Sequence, residues 1–325
     1  MVSLILASGR LNMTSSLEDS ASPAISSPSI SSPFPEEHVG QAGWRRWWRR
    51  YRSNPAALLG LVIVGFLALT GLLAPWITAY PNDAGSTTNF AQTLLPPSTA
   101  HPFGTDDVGR DIFTRVIFGA RLSLSIAAAV TTCAAVIGVA VGAAAAFYGR
   151  WLQWVLMGIT DSFLALPVLV MAIAVAAILG HGTINLIGTL ILVWWPGYAR
   201  LTEGLVLAEK EREYVEAARA TGVSSLRILW RHLLPNSMAP ILIRMGQDIG
   251  YVVLAAAGLG FVGLGIQPPA PEWGVMVSDS HQFMLQAWWY SLFPGVAIAV
   301  AVLGFTLLGN GLQAAFNVRQ SAGGH

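Results

Sequence analysis

Residues 122–147 read LSLSIAAAVTTCAAVIGVAVGAAAAF, with no Asp, Glu, Lys or Arg anywhere in the stretch. About 20 mainly apolar residues suffice to cross the hydrocarbon core of a bilayer as a helix. A segment surrounded by lipid must satisfy its own backbone hydrogen bonds, which a helix does and a lone strand does not. Gly138, Gly142 and the run Ala143–Ala146 lie inside it. Such small residues let a second helix backbone approach closely where no hydrophobic force drives helices together. The single cysteine of the chain, Cys133, also falls here, where it reads as a small buried hydrophobe. No disulfide framework or cysteine metal site can be built from it.

The rest of the chain extends this reading. Hydrophobic residues make up 54% of the 325, and only 11% are charged; mean hydropathy is +0.58. Soluble domains carry roughly a quarter charged residues, so lipid is the economical explanation of the deficit. Further apolar stretches fall at 56–79, 157–180, 184–199, 239–265 and 291–312. Together with 122–147 they predict an all-α membrane protein of about six transmembrane helices. With the N-terminus placed in the cytoplasm and the spans alternated, only Arg110, Arg115 and Arg121 of the Lys and Arg residues remain outside, and 266–290 has none. This asymmetry puts both termini inside by the positive-inside rule.

Organisation follows from composition. Residues 1–43 are Ser/Pro-rich and read as a disordered tail. Segment 44–80 begins with interleaved Trp and Arg from Trp44 to Arg52 and continues into the first span. Such a run suits an anionic membrane interface, a better fit than nucleic acid given the adjoining span. Segment 81–121 is extracytoplasmic, 122–316 holds the remaining spans, and 317–325 is a short tail.

Between the fourth and fifth spans lies the segment 209–236. Glu211 through Ala220 favours a helix, with acidic residues in its first turns and Arg219 near its end, as the helix dipole prefers. Gly222 is placed to stop it. Ser224 is placed to cap a second helix, in which Leu226, Leu229, Trp230 and Leu233 form an apolar stripe that Pro235 closes. Glu216-Ala217-Ala218, Gly222 and His232-Leu233-Leu234-Pro235 resemble the EAA loop of ABC importer permeases, the helix that docks into a cleft of the ATPase subunit. Residues 101–111, from His101-Pro102-Phe103-Gly104-Thr105-Asp106 to Asp111, and 260–274, ending Pro271-Glu272-Trp273-Gly274, are similar to segments of the C-type subunits of dipeptide, oligopeptide and nickel permeases. Together with Asn54-Pro55, the resemblance runs from about residue 50 to 316. Asn310 departs from the family's usual Gly-Asp-Gly, and the tail lacks its usual Asp-Pro.

The resemblance implies a type I permease core across 122–316 and one half of a heterodimeric translocation pathway in a bacterial inner membrane. It implies as partners a companion permease subunit, two ABC ATPase subunits and an extracytoplasmic solute-binding protein. Coupling falls to Glu216, Ala217, Ala218, Gly222, His232, Leu234 and Pro235. Peptides or related small solutes are the implied cargo; nickel or metal chelates, opines and glutathione are the alternatives within the same family.

Few other residues offer chemistry of their own. The only lysine, Lys210, stands between Glu209 and Glu211 with no glycine loop before it, so no phosphate cradle is present. ATP and Mg are therefore expected on partner ATPases, with no cofactor on this chain and no enzymatic role. Asp161 and Asp248 are possible pathway or structural acids within the spans; Arg244, one turn before Asp248, is its expected partner. Asp106, Asp107 and Asp111 are expected to pair with Arg110, Arg115 and Arg121 and not to hold a metal. His181 and His281 have no companion at ligand spacing. A secondary transporter would need coupling-ion residues in broken midplane helices within repeated halves, which this sequence does not display.

Overall fold

The computed structural model describes residues 48, 49 and 51–321, with side chains through residue 315. The Ser/Pro-rich segment 1–43, much of the Trp/Arg run and residues beyond 321 lie outside the described residues. The described chain is helical and without strands; an isolated bridge pairs Thr105 with Asp111.

Local chemistry sets the helix boundaries. Helix α1, Pro55–Leu72, begins where the Asn54 side chain accepts hydrogen bonds from the Ala56 and Ala57 amides, with proline at the first position. That proline gives up an N–H that would have had no helical partner. A short α2, Ala74–Ile77, follows Leu73. Helix α3, Ile112–Tyr148, is capped by Asp111, whose Oδ2 accepts from the Thr114 amide at 2.8 Å. Gly149, at φ 59°, turns the chain into α4, Arg150–Leu164.

The predicted third span is broken. Helix α5, Val168–Leu179, is bent by 95° relative to α4. Pro167 lies at the break and explains it, since proline offers no amide to the preceding turn and disfavours helix at the residue before it. Helix α6, Thr183–Lys210, is longer than the predicted fourth span. Then come α7, Glu213–Ala220, and α8, Ser225–Ile228. A π-helical turn, Leu229–Leu233, joins α8 directly to α9, Leu234–Phe261. Helices α10, Trp273–Ser280, and α11, Trp288–Ser321, complete the order.

Four of the described helical stretches are long and apolar enough to cross a membrane, and the bent pair α4–α5 brings the number to five. The expectation of six is therefore approximate. Helix α6 has the length, but Trp194, Trp195, Pro196, Tyr198, Arg200 and Glu203 dilute the hydropathy of its second half.

Helix α3 lies along α6 in the most extensive contact of the fold, and α11 packs against α1 and α9. At Gly138 an added methyl would overlap Tyr198 and the Trp195 carbonyl of α6, and at Gly142 it would overlap Ala199. Close backbone approach is thus the reason for these glycines. The shared core joins Ile126 and Val130 of α3, Leu186 and Leu190 of α6, Val252 and Ala256 of α9, and Ala301 of α11. Outward faces remain apolar: Val62, Phe66 and Leu69 of α1 are each more than half exposed. Cys133 is also exposed, on α3, and is not the buried hydrophobe its sequence context predicted.

Candidate functional site

The segment between α6 and α9 folds back on the end of the bundle. Helix α7 is anchored by one fully buried side chain, Val215, which joins Ala143 and Ala146 of α3, Val206 of α6, and Ile228, Leu229, Leu233 and Leu234 in a separate apolar cluster. Its C-terminus closes as a Schellman turn. Gly222 adopts φ 79°, its amide donates to the Arg219 carbonyl at 2.9 Å, and the Val223 amide donates to Ala218 at 3.2 Å. Ala218 and Val223 both pack on the same cluster, supplying the apolar contact this turn commonly carries.

Polar contacts tie both ends of the segment. Lys210 Nζ donates to the Ala146 carbonyl at 2.7 Å. The Tyr214 hydroxyl donates to Glu209 Oε2 at 2.8 Å and accepts from Asn236 Nδ2 at 3.1 Å, bridging the end of α6 to the start of α9. Burial, and then the nearby Arg219, hold the Lys210 ammonium below its ordinary pKa. Burial also raises the Tyr214 phenol. The His232 ring lies 6.4 Å from that of Tyr214.

The residues singled out from the sequence divide by exposure. Glu216, Ala217, Gly222 and Pro235 are exposed, Ala218 and His232 are half-buried, and Leu234 is buried. The surface open to a partner is therefore the Glu216–Ala217 face of α7 together with its glycine turn, whereas Leu234 serves the cluster beneath.

Three local expectations are corrected. Pro235 does not close the second helix; it is the second residue of α9, and the helix runs through it. The π turn just before it widens the backbone where the proline ring would collide with a carbonyl four residues earlier. The stripe of Leu226, Leu229, Trp230 and Leu233 also splits. Leu229 and Leu233 are buried, but Leu226 is 53% and Trp230 67% exposed. Ile228, Leu229, Leu233 and Leu234 are buried together, two adjacent positions on each side of the π turn. Ser224 stands at the N-cap of α8 but makes no side-chain capping bond.

Elsewhere, Arg244 Nε reaches the two Asp248 oxygens at 3.2 and 3.1 Å, the expected pair one turn apart. Asp161 of α4 pairs across helices with Arg200 of α6. Asp106 bonds Arg110 Nε at 2.6 Å and lies 3.6 Å from Arg115 Nε. Asp111 pairs instead with His101 Nδ1 at 2.9 Å, a contact the sequence did not announce, and Asp107 accepts from the Tyr290 hydroxyl at 3.0 Å. His181 Nδ1 lies 3.2 Å from Gln267 Nε2, and His281 Nδ1 lies 2.5 Å from the Ser278 carbonyl. Glu272, which sequence reasoning missed as a site, is buried, caps α10 through the Val275 amide and accepts from Ser123. Burial raises its pKa.

Comparison with known proteins settles what this architecture belongs to. Residues 107–321, which include the loop, match the model of the binding-protein-dependent transport system inner membrane component. The chain belongs to this family. Residues 43–97 additionally match the N-terminal transmembrane domain of oligopeptide transport permease C. A dipeptide transport system permease protein of Alkalihalophilus pseudofirmus is 40% identical over 92% of this chain and 97% of its own length. A di/tripeptide permease protein of Pseudomonas aeruginosa is 37% identical over 84% of this chain and 91% of its own. A glutathione transport system permease protein of Escherichia coli is 38% identical over 84% of this chain and 90% of its own. As a binding-protein-dependent permease, the protein is a multi-pass membrane subunit of an ABC importer, with a translocation role.

Proposed function

We propose that this permease forms one half of a heterodimeric pathway for peptides, and that α7 with its Gly222 turn is where ATP hydrolysis on partner subunits is converted into movement of the helices. The observation that carries the reading is the exposed Glu216–Ala217 face of α7, held on one buried anchor, Val215, and closed by the Gly222 turn. Ala217 on this face lets a partner backbone come close while Glu216 offers it a charge, and the anchor passes displacement into α3, α6 and α9, which share its cluster. The companion permease, two ATPase subunits carrying ATP and Mg, and a solute-binding protein complete the machine. The loop and both termini lie on the cytoplasmic side, as the distribution of Lys and Arg favours. Peptide cargo is supported by the dipeptide and di/tripeptide permeases among the relatives.

The test is reconstitution. The chain is co-expressed with the companion permease and ATPases of its own operon, purified, and placed in vesicles with the binding protein. ATP-dependent uptake of alanylalanine is the expected result. Failure of any ATPase to co-purify, or uptake that continues without ATP, would overturn the proposal.

A further inference from the structure

Asp161 and Arg200 form an exposed ion pair between two helices. They sit on α4 and α6, 39 residues apart in sequence, and bond to each other with side chains 53% and 42% exposed. Apolar positions on the same two helices are exposed as well, among them Ile159, Leu164 and Leu192. A charged side chain is costly in hydrocarbon and faces a bundle interior or a water-filled space. Behind the pair, Glu203 is nearly buried and fully engaged: it accepts from Gln153 Nε2 at 2.7 Å and from Arg200 Nη1 at 3.2 Å. Glu203 thus fixes the guanidinium in place while Asp161 holds its other edge. The pair borders an open recess of about 380 Å³, whose lining also includes Arg150, Gln153, Trp154, Met157 and Gly158. That lies within the roughly 300–1,000 Å³ typical of small-ligand pockets.

We infer that Asp161 and Arg200 line the aqueous pathway and bind the two ends of a peptide in transit, the ammonium on Asp161 and the carboxylate on Arg200. This rests on the peptide reading above. The chemistry favours a zwitterion over a singly charged solute. With the recess empty the two side chains neutralise one another; with a zwitterion bound each exchanges one partner for another, so the net charge of the site stays constant. A solute with one charged end engages only one member of the pair and forgoes the second charge-assisted contact. A guanidinium fork also suits a carboxylate geometrically.

Gly158 offers the probe. It lines the recess, and a Cβ built there meets nothing within 4 Å. The reconstituted complex carrying Cys133→Ser and Gly158→Cys is treated from the cytoplasmic side with a cationic thiosulfonate. The expected result is labelling that slows about tenfold when alanylalanine is present at about ten times its half-protecting concentration. Alanylalanine blocked at both ends by acetyl and amide groups gives no protection. Adding Asp161→Asn or Arg200→Gln raises the half-protecting concentration about tenfold or more, as loss of a charge-assisted hydrogen bond requires. Absence of labelling with the pair intact would place it against lipid or the companion subunit and overturn the inference. Equal protection by free and blocked peptides would overturn it too. Zwitterion-specific protection in a complex that takes up no peptide would overturn the substrate reading and leave the site standing.

Discussion

Lys210 Nζ lies 2.7 Å from the Ala146 carbonyl oxygen, so the last residue of α6 closes the C-terminal end of α3. A helix leaves its final carbonyls without intrahelical partners, and here a half-buried ammonium supplies one. Lys210→Met keeps the length of the side chain and removes the donor. The expected cost is about 1 kcal/mol, read as a fall of about 2–4 °C in the melting temperature of the purified protein. An unchanged melting temperature would show that the contact contributes nothing.

At Gly222 the backbone has φ 79° and a Cβ would meet open space. The penalty for a side chain is therefore conformational alone, about 1–2 kcal/mol. Gly222→Val should leave the protein in the membrane while ATP hydrolysis continues without proportionate uptake. Gly222→Asn, which tolerates this conformation better, should retain more of the coupling. The ratio of ATP hydrolysed to peptide accumulated in vesicles measures both, and wild-type ratios for Gly222→Val would refute the role given to this turn.

The leucines of the loop should behave oppositely. Leu234 is buried in the cluster under α7, and Leu226 is exposed. Leu234→Ala is expected to cost about 2–5 kcal/mol and to lower membrane abundance. Leu226→Ala should leave abundance unchanged. Immunoblots of membrane fractions separate the two; similar losses for both variants would contradict the register given by the π turn.

Glu272 sets a pH dependence. Burial raises its folded-state pKa, so the native protein binds more protons than the unfolded chain between the ordinary carboxylate pKa of about 4.3 and the raised native value. Stability from this group is present below that window and declines as pH rises through it. Glu272→Gln should flatten the decline while retaining an acceptor for the Ser123 hydroxyl. Thermal unfolding across pH 4 to about 8 checks the sign; a wild-type curve rising through the carboxylate range because of Glu272 would contradict it.

What could be read from sequence was local. The α7 helix, its Gly222 stop and the Arg244–Asp248 pair each depend on residues within a turn or so of one another, and helical spacing exposes them. The glycines at 138 and 142 announced close packing, although not that α6 was the neighbour. Where the helical period changes, as from Leu229 to Leu233, a stripe read at 3.6 residues per turn assigns Leu226 and Trp230 to the wrong face. Contacts closed by tertiary structure left no local trace. Arg200 lies far along the chain from Asp161, and His101 takes Asp111 in place of a neighbouring arginine.

From Ser225 to Phe261 the chain is one unbroken helical shaft. At 1.5 Å per residue it is about 55 Å long, whereas a hydrocarbon core is about 30 Å thick. One end carries the apolar anchor of α7, and the other abuts Glu272 and Gly274 through Gly260 and Ala257. Its soft points, the wide turn at Leu229–Leu233 and Pro240 inside α9, both lie toward the α7 end, which leaves Ile241 to Phe261 as a stiff lever of about 30 Å.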